Sequence, residues 1–173
     1  MNERPTKEEY ASFYEGYIQL VPEGNVIELL EQQGTQVNTA IRALTEEQGN
    51  FRYDAGKWSV KEVFGHLIDN ERIMSGRLLR IARGDVTSLP GYDQDILMSS
   101  HPFESYTMID LAEEYAAVRH STVLLLRRLS TEAWLRRGIV NDHPASTRSI
   151  ACVITGHELH HLSVLRERYG IKL

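Results

Sequence analysis

The sequence contains little cysteine or proline and has no long hydrophobic run. Cys152 is the only cysteine among 173 residues, so no disulfide can form within the chain, and a reducing cytoplasm fits this composition. No apolar stretch approaches the roughly 18 residues that a membrane-spanning helix needs. The charged N-terminal sequence also lacks the apolar segment of a signal peptide. We therefore expect a cytoplasmic protein that does not bind membranes.

An excess of positive charge is also absent. The formal net charge is -5, so the chain has no general attraction for phosphate groups, and we expect no nucleic-acid partner. Hydrophobic residues make up 42% of the chain and charged residues 25%, which is typical of a globular protein. At this length we expect one domain, residues 1–173, with a hydrophobic core of its own.

The five prolines separate long segments in which apolar residues recur every three or four positions, as they do on one face of a helix. Ser59 and Glu62 form the capping box that opens one of these segments, and Gly84 follows its end. No segment is a convincing strand. The longest connection, 84–106, is a loop of a length that often has a function. The pattern predicts an all-α, antiparallel four-helix bundle, with helices at about 25–47, 59–83, 107–129 and 149–169 and a short helical segment near 7–20.

The stretch "TGHELHHLSVL", residues 155–165, contains the zinc-protease pattern H-E-x-x-H. Such a protease needs a third ligand, usually well downstream of the second histidine. Only twelve residues follow His161, none of them is histidine, and the one carboxylate, Glu167, lies in the same predicted helix. Glu158 lies beside the histidine face, and we expect it to be solvated or to act as a capping group. We reject the protease interpretation, and any third ligand must come from another helix.

His157 and His161 lie in the middle of the apolar stripe of this helix. At 100° per residue they are about 40° apart, and Ile150, Val153 and Val164 share their face. Burial removes water from a neutral imidazole, so each ring nitrogen then needs another partner. One shared metal ion would satisfy both rings, and the spacing suits two ligands of a single ion. The alternative is that each ring bonds to a carbonyl or carboxylate inside the core.

His66 is the candidate third ligand. On the helix predicted at 59–83 it lies at the edge of the buried stripe, on a polar flank. Gly65 precedes it as Gly156 precedes His157. A glycine inside a helix costs about 1 kcal/mol relative to alanine, so two of them beside candidate ligands suggest a close backbone approach at the site. We expect the other histidines to lie outside the site: His160 on the flank of the last helix, and His101, His120 and His143 as structural or surface residues.

Four stretches in the same order along the chain resemble a known family. They are "YDAGKWSVKEVFGHLIDNERI" (53–73), "RLLRIARGD", "LPGYDQD" and "ITGHELHHLSVLRERYG". They resemble the DinB-like superfamily of YfiT-related bundle proteins, and the resemblance extends over nearly the whole chain. It implies a four-helix bundle, commonly dimeric, with a divalent ion held by three histidines. Matched residue by residue, these are His66, His157 and His161.

The expected function follows from such a site. Three neutral imidazoles leave a divalent ion its full charge and at least one open coordination position, as in catalytic centres. The family includes transferases for low-molecular-weight thiols and proposed metal-dependent hydrolases. We expect a metal-dependent homodimer that activates a small thiol or a water molecule and acts on a small-molecule substrate, a thiol being one class. Zinc, nickel, iron and copper all suit the ligands. The alternative is a non-catalytic, stress-related structural or sensing dimer that binds metal.

The sequence defines the surroundings of the site less well. Cys152 points away from the histidine face, so we do not expect it to be a nucleophile. The 84–106 loop, with Tyr92, Asp93 and Asp95, either covers the open side and selects the substrate or is a surface connection. Histidine ligands usually need hydrogen-bond acceptors. The available carboxylates, among which the sequence does not choose, are Asp69, Glu71, Glu113, Glu114 and Glu158.

Overall fold

The computed structural model describes residues 3–100 and 103–173, so His101 lies outside the described residues. The described part contains eight α-helices and one β-hairpin, and three short 3-10 turns lie at Lys7–Glu9, Ser12–Tyr14 and Phe103–Ser105. The helices are α1 (Glu15–Leu20), α2 (Val26–Ala43), α3 (Glu46–Asn50), α4 (Val60–Ala82), α5 (Gln94–Ser100), α6 (Met108–Arg127), α7 (Thr131–Leu135) and α8 (Thr147–Tyr169). The strands are β1 (Arg137–Val140) and β2 (His143–Ser146).

The long helices begin at side chains that accept hydrogen bonds from their first turns. Ser59 accepts from the Glu62 amide and starts α4 where the capping box predicted it. Asn25, Thr107 and Ser146 cap α2, α6 and α8 in the same way. The predicted first helix is too long, because α2 ends at Ala43 and Thr45 caps the separate helix α3.

Two pairs of long helices run antiparallel. Between α2 and α6, Glu31 pairs with Arg127, and at the other end the Glu46 carboxylate, in α3 just beyond α2, accepts a hydrogen bond from the Met108 amide at 2.8 Å. Helices α4 and α8 also pack antiparallel. The Tyr169 hydroxyl at the end of α8 donates a hydrogen bond to the Trp58 carbonyl just before the start of α4. The predicted all-α four-helix bundle is confirmed.

Helices α4 and α6, which are also neighbours, run in the same direction. Arg72 pairs with Glu114, and further along both helices Leu79 and Leu125 line one groove. The chain must therefore return along the whole bundle between the end of α4 and the start of α6, and this explains the length of the 84–106 connection. Near its end, Glu104 pairs with Arg52, which precedes α4, at 2.6 Å. The connection is not irregular throughout, since it contains α5 and the turn Phe103–Ser105.

A β-hairpin lies between α7 and α8, where we expected no strand. Arg137 pairs with Ser146 and Val140 with His143, and the two residues between the strands, Asn141 and Asp142, have φ angles of 50° and 62°. Positive φ at both positions is typical of the tight hairpin turn that favours Asn and Asp. Strands of four residues were too short to show an alternation in the sequence. The hairpin also holds the long connection, through the Leu89 amide and the Ile139 carbonyl at 2.9 Å.

The buried hydrophobic residues form two clusters, one toward each end of the bundle. A layer of buried polar side chains lies between them: Gln33 from α2, His66 and Glu71 from α4, Arg119 from α6, and Thr155, His157 and Glu158 from α8. Buried polar groups need partners, so this layer is where the helices bind one another through specific contacts. No helix among residues 3–100 and 103–173 is both long and apolar enough to cross a bilayer.

Candidate metal centre

The structure brings the three predicted histidines together in the polar layer. His66 extends from α4, and His157 and His161 extend from successive turns of α8. The Nε2 atom of His157 lies 3.1 Å from Nε2 of His66 and 3.2 Å from Nε2 of His161. One ring nitrogen from each histidine lies within 4.8 Å of the other two.

These distances fit a single divalent ion. Metal–nitrogen bonds of about 2.0–2.1 Å at a tetrahedral angle place the ligand nitrogens about 3.3 Å apart. Burial lowers the pKa of His66 to about 4 and that of His161 to about 3, and together with the neighbouring imidazoles it holds the pKa of His157 well below its ordinary value. The rings are therefore neutral at pH 7, with lone pairs available to a cation. That they hold an ion stays a prediction.

Both glycines beside these histidines allow close packing. A Cβ atom on Gly156 would overlap with the backbone carbonyl of Tyr17, so α1 lies directly against α8 at the histidine pair. This is the close backbone approach that the sequence suggested. At Gly65 the neighbour is instead the side chain of Phe103, which lies in the long connection. Glycine here makes room for an aromatic ring.

Aromatic rings surround the histidines on two sides. The Trp58 ring lies 5.0 Å from that of His66, and the Tyr17 ring contacts His157 edge-on at 5.3 Å. Such rings exclude water and keep the imidazoles in place. His160, which stands next to His161 in the chain, is exposed and outside the cluster, as its helical angle predicted.

A cavity of about 290 Å³ opens beside the cluster, and His161 is one of its lining residues. Asp95, from the start of α5, lines the same cavity, so the long connection supplies part of its wall. Tyr92, three residues before Asp95, is held against α4. Its hydroxyl accepts a hydrogen bond from Asn70 at 2.5 Å, and its ring lies 5.2 Å from the Arg77 guanidinium. The connection is therefore fixed to α4 just before α5.

Two of the five candidate acceptor carboxylates have a different role. Glu71 and Glu158 both pair with Arg119 at 2.8 Å, and Tyr115 donates a hydrogen bond to Glu158 at 2.7 Å. Our expectation of a solvated Glu158 is wrong, because only 2% of this residue is exposed. Burial raises the pKa of Glu158, while Arg119 opposes that shift.

Arg119 itself was missed in the sequence. It lies on α6 four residues after Tyr115, which belongs to the predicted apolar stripe, and this spacing places both side chains on one side of the helix. A basic residue on that otherwise apolar side of the helix was the available signal. Of the three remaining acidic candidates, Asp69 and Glu114 pair with Arg72 and Glu113 is exposed.

Cys152 and two other histidines lie outside the centre, as expected. Burial raises the pKa of the Cys152 thiol to about 11, so it is protonated at neutral pH and a poor nucleophile. It faces a different cavity, lined also by Arg4, Trp134 and Arg148. His120 and His143 are both exposed.

Comparison with known proteins agrees with this fold. No match was found among curated protein sequences. The solved structure of YfiT from Bacillus subtilis, described as a probable metal-dependent hydrolase with an unusual four-helix bundle topology, is similar with a TM-score of 0.73 and 18% identity, over 99% of this chain and 95% of that one. At this identity the likeness concerns the fold. A sequence profile of the DinB superfamily matches residues 29–165, and the chain therefore belongs to the DinB superfamily.

Proposed function

We propose that this protein is a metal-dependent enzyme whose divalent ion is held by His66, His157 and His161. One observation carries the proposal: the three neutral imidazoles converge on one point, and one of them, His161, lines a cavity that can admit a small molecule. A purely structural site would be closed on all sides by protein ligands. Zinc, nickel and iron all suit three imidazoles.

The chain's own residues determine what reaction is feasible. A divalent ion bound here would supply Lewis acidity and lower the pKa of a nucleophile at its open position. The three imidazoles contribute no negative charge, so they leave that effect undiminished. Tyr17 and Trp58 keep the cluster dry on the buried side, and the cavity at His161 directs entry. The nucleophile is water in a hydrolase and a low-molecular-weight thiol in a transferase.

The description of YfiT as a probable metal-dependent hydrolase supports the hydrolase form. Nothing in the donor set distinguishes a thiol from water, so the assay must compare them. The homodimer and a small-molecule substrate are also part of the proposal, because they are what resemblance to the family implies. Light scattering of the purified protein measures its oligomeric state directly.

The test begins with elemental analysis of protein reconstituted with zinc, nickel or iron, where we expect one ion per chain. Hydrolysis of p-nitrophenyl acetate and consumption of a thiol by 1-chloro-2,4-dinitrobenzene are then measured with and without a chelator. We expect one activity to be lost on chelation and restored by metal. An activity that chelation leaves unchanged would refute the proposal, and stoichiometric metal without either activity would favour the non-catalytic alternative.

A further inference from the structure

The cavity beside His161 is small and has walls of two kinds. Its volume of about 290 Å³ lies at the lower end of small-molecule sites, which range from about 300 to 1,000 Å³. Its lining includes aromatic and aliphatic side chains as well as two charged ones. The lining residues are Tyr53, Gly56, Lys57, Trp58, Val63, Asp95, His161, Val164 and Tyr169.

The aromatic part of the wall is held rigidly. The ring of Tyr53 meets that of Tyr169 edge-on at 4.9 Å and 88°. The Tyr169 hydroxyl in turn donates to the Trp58 carbonyl at 2.7 Å, which joins the end of α8 to the segment before α4. Rings fixed in this way offer a flat apolar surface at little cost in side-chain entropy.

The charged part of the wall carries one cation and one anion. Lys57 lies in the turn before α4 and Asp95 at the start of α5, and both are exposed. Within residues 3–100 and 103–173, neither side chain forms an ion pair with the other or with a third residue. By contrast, neighbouring Arg52 pairs with both Glu62 and Glu104. Two opposite charges are thus available to a ligand in the same cavity.

We infer that this cavity binds a small zwitterion of the amino-acid type. Its carboxylate would pair with Lys57, its ammonium group with Asp95, and its apolar body would lie against Tyr53 and Trp58. This inference rests on the proposed function, because it names the substrate class of the same centre. The binding contacts belong to the chain itself and do not require the ion.

Four compounds with one phenyl group test the inference: L-phenylalanine, 3-phenylpropionate, 2-phenylethylamine and 2-phenylethanol. Their affinities are measured by NMR titration of the metal-free and the zinc-loaded protein, following the indole N–H of Trp58. We expect L-phenylalanine to bind tightest in both forms. Exposed charge pairs are weak, so each should change affinity about threefold.

Matched variants separate the two charges. Lys57→Gln should weaken only the two carboxylates, and Asp95→Asn only the two amines, by about threefold each. Lys172→Gln, at an exposed lysine outside the cavity, should change none of the four affinities. Equal affinity for all four compounds, or no binding to the metal-free protein, would overturn the inference. Zinc content and sensitivity to chelation test the proposed function independently, so the two failures are distinguishable.

Discussion

Each of the three clustered histidines depends on its neighbours to remain neutral and aimed at one point. His66 and His157 are 3% and 7% exposed, and burial lowers the pKa of both. The three rings meet because the helices that carry them, α4 and α8, pack against each other. Gly156 in turn lets α1 pack directly against α8 beside the His157 and His161 rings.

Replacement of His161 should remove the metal while the fold remains. We expect His161→Ala to weaken zinc binding by at least about 100-fold, because even the loss of a hydrogen-bond partner of a ligand costs up to that factor. His160→Ala, at the exposed neighbour, should leave the affinity nearly unchanged. Competition with a chromophoric chelator measures both, and circular dichroism checks the helical content. Stoichiometric zinc in His161→Ala would contradict the assignment of that ligand.

Two glycines inside helices should respond to alanine in opposite directions. Gly156→Ala should destabilise the protein by about 1–3 kcal/mol, since its Cβ atom has no room beside the Tyr17 carbonyl. Gly76→Ala, in α4 with open space around it, should stabilise the protein by up to about 1 kcal/mol through helix propensity alone. Urea unfolding of both variants measures the difference. Equal effects would mean that the α1–α8 contact is not close.

For individual residues, the sequence predicted which side chains share a face of one helix better than it predicted contacts between helices. Helical angles alone placed His157 and His161 together on the buried face. They could not show that the flank carrying Glu158 is buried too, because that burial comes from α6 and from the guanidinium of Arg119. The pairing of charges between helices has no sequence signal comparable to a periodic stripe.

Among the elements, the four long helices meet in one buried polar layer. Arg119 of α6 bonds to Glu71 of α4, Glu158 of α8 and the Leu30 carbonyl of α2. Burial opposes the charge of Arg119, but the two carboxylates raise its pKa well above the ordinary value. One side chain thereby fixes how three other helices are placed relative to α6.

Removal of this guanidinium should be costly. Arg119→Met leaves two buried carboxylates without their cation, and loss of one partner from such a buried group typically costs about 3–5 kcal/mol. The triple variant Glu71→Gln, Arg119→Met, Glu158→Gln should lose less, because no uncompensated charge is left. Denaturant unfolding at pH 7 compares the two. A cost below about 1 kcal/mol for the single variant would show that the layer contributes little.

The N-terminal segment should be released from α8 by acid. Burial would raise the pKa of Glu9, but hydrogen bonds with Arg148, Ser146 and Thr6 lower it from 4.5 to about 2. Since the folded pKa is the lower one, the stabilisation is complete above pH 4.5 and is lost as the pH falls toward 2. The shift corresponds to about 3 kcal/mol at most. The difference in unfolding free energy between wild type and Glu9→Gln, measured from pH 6 to pH 3, should therefore shrink; a constant difference would contradict the assignment.

The limits of prediction at this scale are also physical. Periodicity and caps located the four long helices, because those signals lie within each segment. The direction of α6 relative to α4, and therefore the path of the long connection, depends on contacts between distant segments such as Glu104 with Arg52. The hairpin at 137–146 was missed for a related reason, because its short strands are stabilised by pairing with each other and with the neighbouring connection at Leu89.

In the whole molecule, the candidate centre lies between the two hydrophobic clusters and joins α4 to α8. A bound ion should therefore stabilise the fold as a unit. Zinc at about 1,000 times its dissociation constant should add about 4 kcal/mol, which raises the melting temperature by roughly 8–16 °C for a chain of this size. Calorimetry with and without chelator measures the shift, and His66→Ala should abolish it. An equal shift in that variant would place the ion elsewhere.

The distance along the chain between His66 and His157, 91 positions, has a kinetic consequence. Closing so long a loop costs chain entropy, and we expect an ion to join the two rings only after their helices have packed, past the rate-limiting barrier. An ion that joins the two rings would then slow unfolding and leave the refolding rate nearly unchanged. The ion would act only on the completed bundle, by slowing its unfolding. The lifetime of each folded molecule would therefore depend on the concentration of available metal.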